Sequence, residues 1–222
     1  MLGRIAVVNP NSSEQISTQV NDAVQPIAGD LQVEVEVVTS RAGPPAIETD
    51  SDVVAAVAPM IETAMDNPAD AYVVACFSDP GITEMRANLD APVFGIAESA
   101  VLAAMSRGRR VGVISAVDEA LPRHERYWVR IGVAQRIVRD VATGRGVLDL
   151  ESEEAYDDVL AAGRDLAGSG ADVVVLGCTG MTHLRARLQN DLGLPVIEPC
   201  QAAVRFAASS LRDSIDDKGP TP

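Results

Sequence analysis

The sequence predicts an α/β protein of two similar lobes, each a parallel sheet flanked by helices, with its active site in the cleft between them. Three observations lead to this expectation. Short β-branched apolar runs recur along the 222 residues, each followed by turn residues. Ala-rich stretches of helical period separate most of these runs. Segments of the first half then return in the second half at a nearly constant offset.

The apolar runs cover residues 5–8, 33–38, 71–75, 93–96, 111–114, 137–141, 173–176 and 196–197. They are apolar on both faces rather than alternating, which marks strands of a parallel sheet covered on both sides. Residues 52–65, 99–105, 153–167 and 201–211 carry the helical period between and after them. Strand and helix alternating in this way give a Rossmann-like α/β layering.

The repeat is read directly from the residues. Arg4-Ile5-Ala6-Val7-Val8 resembles Arg110-Val111-Gly112-Val113-Ile114, an offset of 106. Asp70 to Cys76 resembles Asp172 to Cys178, an offset of 102, and Ala91 to Gly95 resembles Leu194 to Glu198, an offset of 103. This places a first lobe at 1–105 and a second at 106–200, related by a pseudo-twofold. A C-terminal helix at 201–212 is expected to pack back on the first lobe. The polar stretch 213–222, ending Gly219-Pro220-Thr221-Pro222, is expected to be a flexible tail.

Composition removes several function classes. Asp and Glu number 32 against 18 Lys and Arg, a formal net charge of −14, which repels nucleic-acid backbones and anionic membranes. Aromatics are 3%, too few for a base-stacking platform. No apolar run approaches the roughly 18–20 residues of a membrane span. The single lysine, Lys218, argues against Schiff-base chemistry. There is no phosphate loop, no Gly-x-Gly-x-x-Gly and no Gly-x-Ser-x-Gly. With two histidines and no ligand spacing, a metal site is not expected; His124-Glu125-Arg126-Tyr127-Trp128 lacks the second His of a zinc protease motif. Three cysteines and an N-terminal apolar stretch too short for a signal peptide lead to an expectation of free thiols in the cytoplasm.

The repeat is most informative at Cys76 and Cys178. Each directly follows an apolar strand and precedes small or turn-forming residues, Phe77-Ser78-Asp79-Pro80-Gly81 and Thr179-Gly180-Met181-Thr182-His183. Ligands of parallel sheets bind beyond the carboxyl ends of the strands. There, helix N-termini and backbone N–H groups are expected to lower both thiol pKa values. A pseudo-twofold sets the two sulfurs on opposite sides of one cleft. Two such groups suit racemisation, in which one takes a proton from one face of a carbon and the other returns one to the opposite face. Cys200 falls where the first half has Ala97 and reads as structural. Asn9, Asn11 and Ser12 also suit helix capping. Asp79-Pro80-Gly81 is a turn signal, and Glu98 and His183 sit near helix starts. Arg107-Gly108-Arg109-Arg110 reads as a solvated connection between lobes.

Taken together, Asn9-Pro10-Asn11-Ser12-Ser13, Gly43-Pro44 with Ile47-Glu48, Ala75 to Gly81, Gly95 to Ala100 and Leu176 to Met181 resemble the hydantoin and allantoin racemases of the aspartate/glutamate racemase superfamily. The resemblance runs from Ile5 to about Leu211 and is weakest between Leu121 and Leu150. It implies a racemase without cofactor or metal, acting on a small molecule as a homo-oligomer, with Cys76 and Cys178 as catalytic thiols. By the same resemblance Asn9, Asn11 and Ser115 face the cleft. Phe77, Ser78, Thr179 and Gly180 offer donors to the enolate-like intermediate, and Pro45 and Ile47 shape an apolar wall. Ser78 stands where the family has Gly and Thr179 where it has Ala, so the pocket is more polar than usual. Two alternatives stay open on the residues: a maleate-type cis–trans isomerase using a cysteine nucleophile, and a small-molecule-binding protein without catalysis.

Overall fold

The computed structural model describes residues 3–150 and 152–216, with side chains to 213. Its first half holds β1 (Arg4–Asn9), α1 (Glu14–Leu31), β2 (Glu34–Thr39), α2 (Asp50–Asp66), β3 (Ala71–Val74), α3 (Ile82–Asn88), β4 (Val93–Gly95) and α4 (Ile96–Met105). The second half holds β5 (Val111–Ser115), α5 (Leu121–Arg130), β6 (Ile137–Ala142), α6 (Glu153–Gly168), β7 (Val173–Leu176), α7 (Arg185–Leu192), β8 (Val196–Ile197) and α8 (Pro199–Asp216). Every expected strand is present. The helices α1, α3, α5 and α7 add to the four singled out from periodicity. The last of these, α8, runs to Asp216, four residues beyond its expected end, and the rest of the expected tail lies outside the described residues.

All strand pairs are parallel, and the two sheets have the same order, β2-β1-β3-β4 and β6-β5-β7-β8. The sequence repeat is therefore a repeat of topology. In both sheets the two central strands are buried, apart from the half-buried Arg4 that opens β1, in keeping with their largely apolar composition. Side-chain caps mark several helix starts: Ser13 accepts from Ile16 N at α1, Thr49 forms a reciprocal box with Asp52 at α2, and Ser152 accepts from Ala155 N at α6.

The helix closing each half crosses to the other sheet. α4 packs against β5, β7 and β8, whereas α8 packs against β1, β3 and β4 and alongside α4. One apolar core accordingly runs from Ile5, Val7 and Val73 through Ala100 and Val204 to Val113 and Val175. A separate cluster, including Val8, Met60, Val74 and Met85, covers the outer face of the first sheet. This shared core sets the carboxyl ends of β3 and β7 at a common cleft.

Candidate active site

The loop after β3 is fixed by its own backbone and by one carboxylate. Asp79 N–H donates to the Cys76 carbonyl at 2.9 Å, folding residues 76–79 into a turn. Asp79 has φ of 42°, the left-handed region that short polar residues tolerate. Its side chain is 2% exposed and accepts from Ala97 N at 3.0 Å and Glu98 N at 2.9 Å, capping α4. Tyr127 Oη donates to the same carboxylate at 2.7 Å. The loop after β7 starts with Gly177 N–H donating to the Ile114 carbonyl and continues with Met181 N–H donating to Cys178 O, opening a 3-10 turn, Thr179–Leu184.

Cys76 and Cys178 line the same cavity, together with Asn11, Ile47, Phe77, Ser78, Ala116, Val117, Ala120, Arg123, His124, Val147, Gly177 and Thr179. Cys76 is half-buried and Cys178 is 7% exposed. The cavity measures about 30 Å³, room for about one or two waters. Cys200 is sealed in the shared core.

The expected lowering of the thiol pKa values is overturned. Burial pushes Cys76 up to about 11 and Cys178 up to about 12. Hydrogen bonds from the backbone of Ser78 to Cys76, and of Gly180 to Cys178, oppose this by less. The Arg123 guanidinium lowers Cys76 while Asp79 raises it, and Cys178 is raised further by Cys76 and Glu48. The strand ends do supply backbone donors. However, α3 begins six residues after Cys76 and a 3-10 turn follows Cys178, so neither sulfur sits at the start of a long helix. The narrow cavity removes water from both thiols, and that cost dominates.

Of the residues expected in the site, the cavity gathers Cys76, Cys178, Asn11, Ile47, Phe77, Ser78 and Thr179. Asn9 lies fully buried behind it. Asn9 Nδ2 donates to Asn11 Oδ1 at 3.0 Å and to Ser17 Oγ at 3.0 Å, and its Oδ1 accepts from Asn11 N. Asn11 Oδ1 also accepts from Ser13 N at 2.9 Å, so these asparagines build the turn into α1 and the Asn11 amide N–H groups remain for the cavity. Ser115 is buried with its hydroxyl on Asp140. Pro45 is exposed, and Gly180 lies against the Val147 carbonyl. None of Asn9, Pro45, Ser115 and Gly180 lines the cavity. His183 lines a different groove, with Asp22, Arg185 and Gln201. Glu98 pairs with Arg86 and accepts from Gly95 N.

Sequence reasoning missed Arg123, His124 and Val147. Arg123, on α5, donates from Nε to Ser78 Oγ at 3.0 Å, from Nη1 to Asp50 Oδ1 at 2.8 Å and from Nη2 to the Glu48 carbonyl at 3.3 Å. Glu48 Oε1 in turn accepts from Val147 N at 2.9 Å. These bonds tie the two halves together around the thiols. His124 Nδ1 lies 2.8 Å from Asp140 Oδ2 and 3.2 Å from Ser115 Oγ. The signal for this group was Asp140 inside strand β6, beside the exposed Arg139 and among apolar residues. Among the described residues, no group of three or more His, Cys, Asp or Glu side chains is arranged to hold a metal ion.

Residues 5–207 match the family model for Asp/Glu/hydantoin racemases. A hydantoin racemase of Paenarthrobacter aurescens is 33% identical over 213 residues, covering 93% of this chain and 90% of the relative. The structure of an allantoin racemase from Klebsiella pneumoniae superposes with a TM-score of 0.90 at 30% identity, covering 95% of this chain and 88% of the other. A glutamate racemase from Bacillus anthracis, at 19% identity, shares the fold with a TM-score of 0.69, covering 97% and 82% of the respective chains. The chain belongs to the Asp/Glu/hydantoin racemase family and is an isomerase of the racemase type.

Proposed function

We propose that the chain is a cofactor-independent racemase of 5-substituted hydantoins or allantoin, with Cys76 and Cys178 as its two bases. The observation that carries this reading is the pair of pseudo-equivalent thiols on one cavity. The ring carbon C5 is acidified by the adjacent carbonyl. A thiolate on one side takes its proton, giving an enolate, and the opposing thiol protonates the other face. The spent thiol and the new thiolate then exchange roles for the reverse reaction. A thiol raised to about 11 or 12 is a strong base once ionised, which favours abstraction from carbon at the expense of thiolate population.

The cavity walls offer donors for the enolate oxygen. Ser78 Oγ accepts from Arg123 Nε and its hydroxyl hydrogen-bonds Cys76, which leaves the Asn11 amide and Thr179 hydroxyl on the lining as donors. Ile47, Phe77 and Val147 supply apolar surface for a substituent. A cavity this narrow must widen to admit a five-membered ring, and the Glu48–Val147 and Arg123–Asp50 bonds are the ones spanning it.

Hydrogen exchange at C5 in D₂O, followed with optical rotation for each enantiomer, tests the assignment. The wild type is expected to racemise and take up deuterium from either hand. Cys76→Ser and Cys178→Ser are each expected to lose racemisation by about 10³-fold, while each still exchanges with one enantiomer. Racemisation at the wild-type rate by both variants overturns the two-thiol mechanism.

A further inference from the structure

We infer that His124 is a substrate-binding, specificity-determining residue that accepts a hydrogen bond from a ring N–H of the substrate. The inference rests on the proposed hydantoin-type reading and adds the group that recognises the ring.

The hydrogen-bond pattern fixes which ring nitrogen carries the proton. Ser115 Oγ lies 2.6 Å from Asp140 Oδ1. A carboxylate only accepts, so the serine proton lies between them. The serine oxygen therefore faces His124 Nδ1 as an acceptor, at 3.2 Å, beside Asp140 Oδ2 at 2.8 Å. Both neighbours of Nδ1 accept, and Nδ1 must carry the hydrogen. In the neutral imidazole this leaves a lone pair on Nε2.

The ring is also held in place. It is 2% exposed and packs edge-on against Phe77, with centroids 5.3 Å apart, and against Trp128 at 5.9 Å. Phe77 is the residue after Cys76, so the imidazole is locked to the first thiol loop. Nε2 has no partner among the described residues and is not one of the sealed polar atoms. The same ring lines the cavity shared by the thiols. A buried acceptor of fixed tautomer rewards a ligand N–H and rejects a ring in which that nitrogen is alkylated. In hydantoins and in allantoin such hydrogens are carried by N1, bonded to the reacting carbon, and by N3, between the two carbonyls.

The test follows C5 hydrogen exchange with a 5-alkylhydantoin and its N1-methyl and N3-methyl derivatives. The wild type is expected to prefer the unsubstituted ring over one derivative by about 10–100-fold. His124→Phe is expected to lower kcat/KM on the unsubstituted ring by a similar factor, chiefly through KM, and to bring the preference to within about twofold. His124→Gln, which keeps an acceptor, recovers part of it. The wild-type comparison of the three substrates needs no variant, so the test stands even where His124→Phe folds poorly. Folded His124→Phe that keeps the wild-type preference overturns the inference, as does a wild type indifferent to both methyl groups. A wild type that exchanges none of the three substrates overturns the functional reading itself and the inference with it.

Discussion

Asp79 fills the space that a side chain at Gly95 would take. An ideal Cβ on Gly95 would lie 2.2 Å from Asp79 Oδ2 and 2.3 Å from its Cγ. The absence of that one carbon lets the first thiol loop reach across and cap α4. In the second half the equivalent position is Glu198, which caps α8 with its own carboxylate, accepting from Cys200 N at 3.1 Å and Gln201 N at 2.6 Å. Both helix starts are thus closed by a buried carboxylate, supplied from different places in the repeat.

Gly95→Ala is therefore expected to push Asp79 out of its cap. Overpacking and a lost cap together cost roughly 2–4 kcal/mol, and thermal unfolding should show a fall in Tm of roughly 5–10 °C. The displaced loop carries Cys76, so exchange with the enantiomer that depends on Cys76 should fall further than exchange with the other. An unchanged Tm removes the interlock as a structural requirement.

Asp79 and Glu198 also set an expected pH dependence of stability. Burial raises both carboxyls to about 7, from ordinary values of 3.8 and 4.5. Between the ordinary and raised values the folded state holds more protons than the unfolded chain, so stability falls as pH rises. Their contribution is fully present below about pH 4 and lost through about pH 7. The lowered Asp50, Asp52 and Asp172 act in the opposite direction, but in the acid range below their ordinary value of 3.8. Tm measured from pH 5 to pH 8 should therefore decline, and Glu198→Gln should flatten its share of the slope. A Tm that rises across this window contradicts the assignment.

Much of the architecture was legible because burial on both faces leaves a plain mark. Residues 71–74 and 173–176 have no polar member to blur the strand, and the repeat displays their equivalence. The thiols were legible for the same reason, as strand-end residues at matched offsets. What failed is what crosses between elements. Ser115 reads as a cleft residue until Asp140, on the neighbouring strand, is seen to take its hydroxyl. Arg123 and His124 lie on α5, whose apolar residues are few and whose partners are Ser78, Asp50 and Asp140 far along the chain. The raised thiol pKa values depend on cavity width, which no local pattern encodes.

Those raised values predict the pH–rate profile. With Cys76 near 11 and Cys178 near 12, few free-enzyme thiols are ionised at neutrality. The profile of kcat/KM reports the free enzyme, and the coupled pair titrates as a unit. It should climb by about tenfold per pH unit from pH 7 to pH 9, with no plateau below pH 9. A plateau centred near pH 7 would mean that the thiols are acidified as exposed, cation-paired cysteines are.

Arg123 offers a way to separate the two thiols. Its guanidinium favours the Cys76 thiolate and bonds the loop that carries it through Ser78, whereas Cys178 is influenced chiefly by burial, Gly180, Cys76 and Glu48. Arg123→Gln removes the charge and the fork to Asp50 and Glu48 O. It is expected to slow Cys76-dependent exchange by roughly tenfold and to move the alkaline limb of that direction to higher pH. Cys178-dependent exchange should change by less than about threefold, and Arg123→Lys, which keeps the charge, should fall between. The two directions are distinguished by the single Cys→Ser variants and read as enantiomer-specific deuterium uptake. Equal slowing of both directions with no pH displacement would assign Arg123 to holding the lobes together and nothing more.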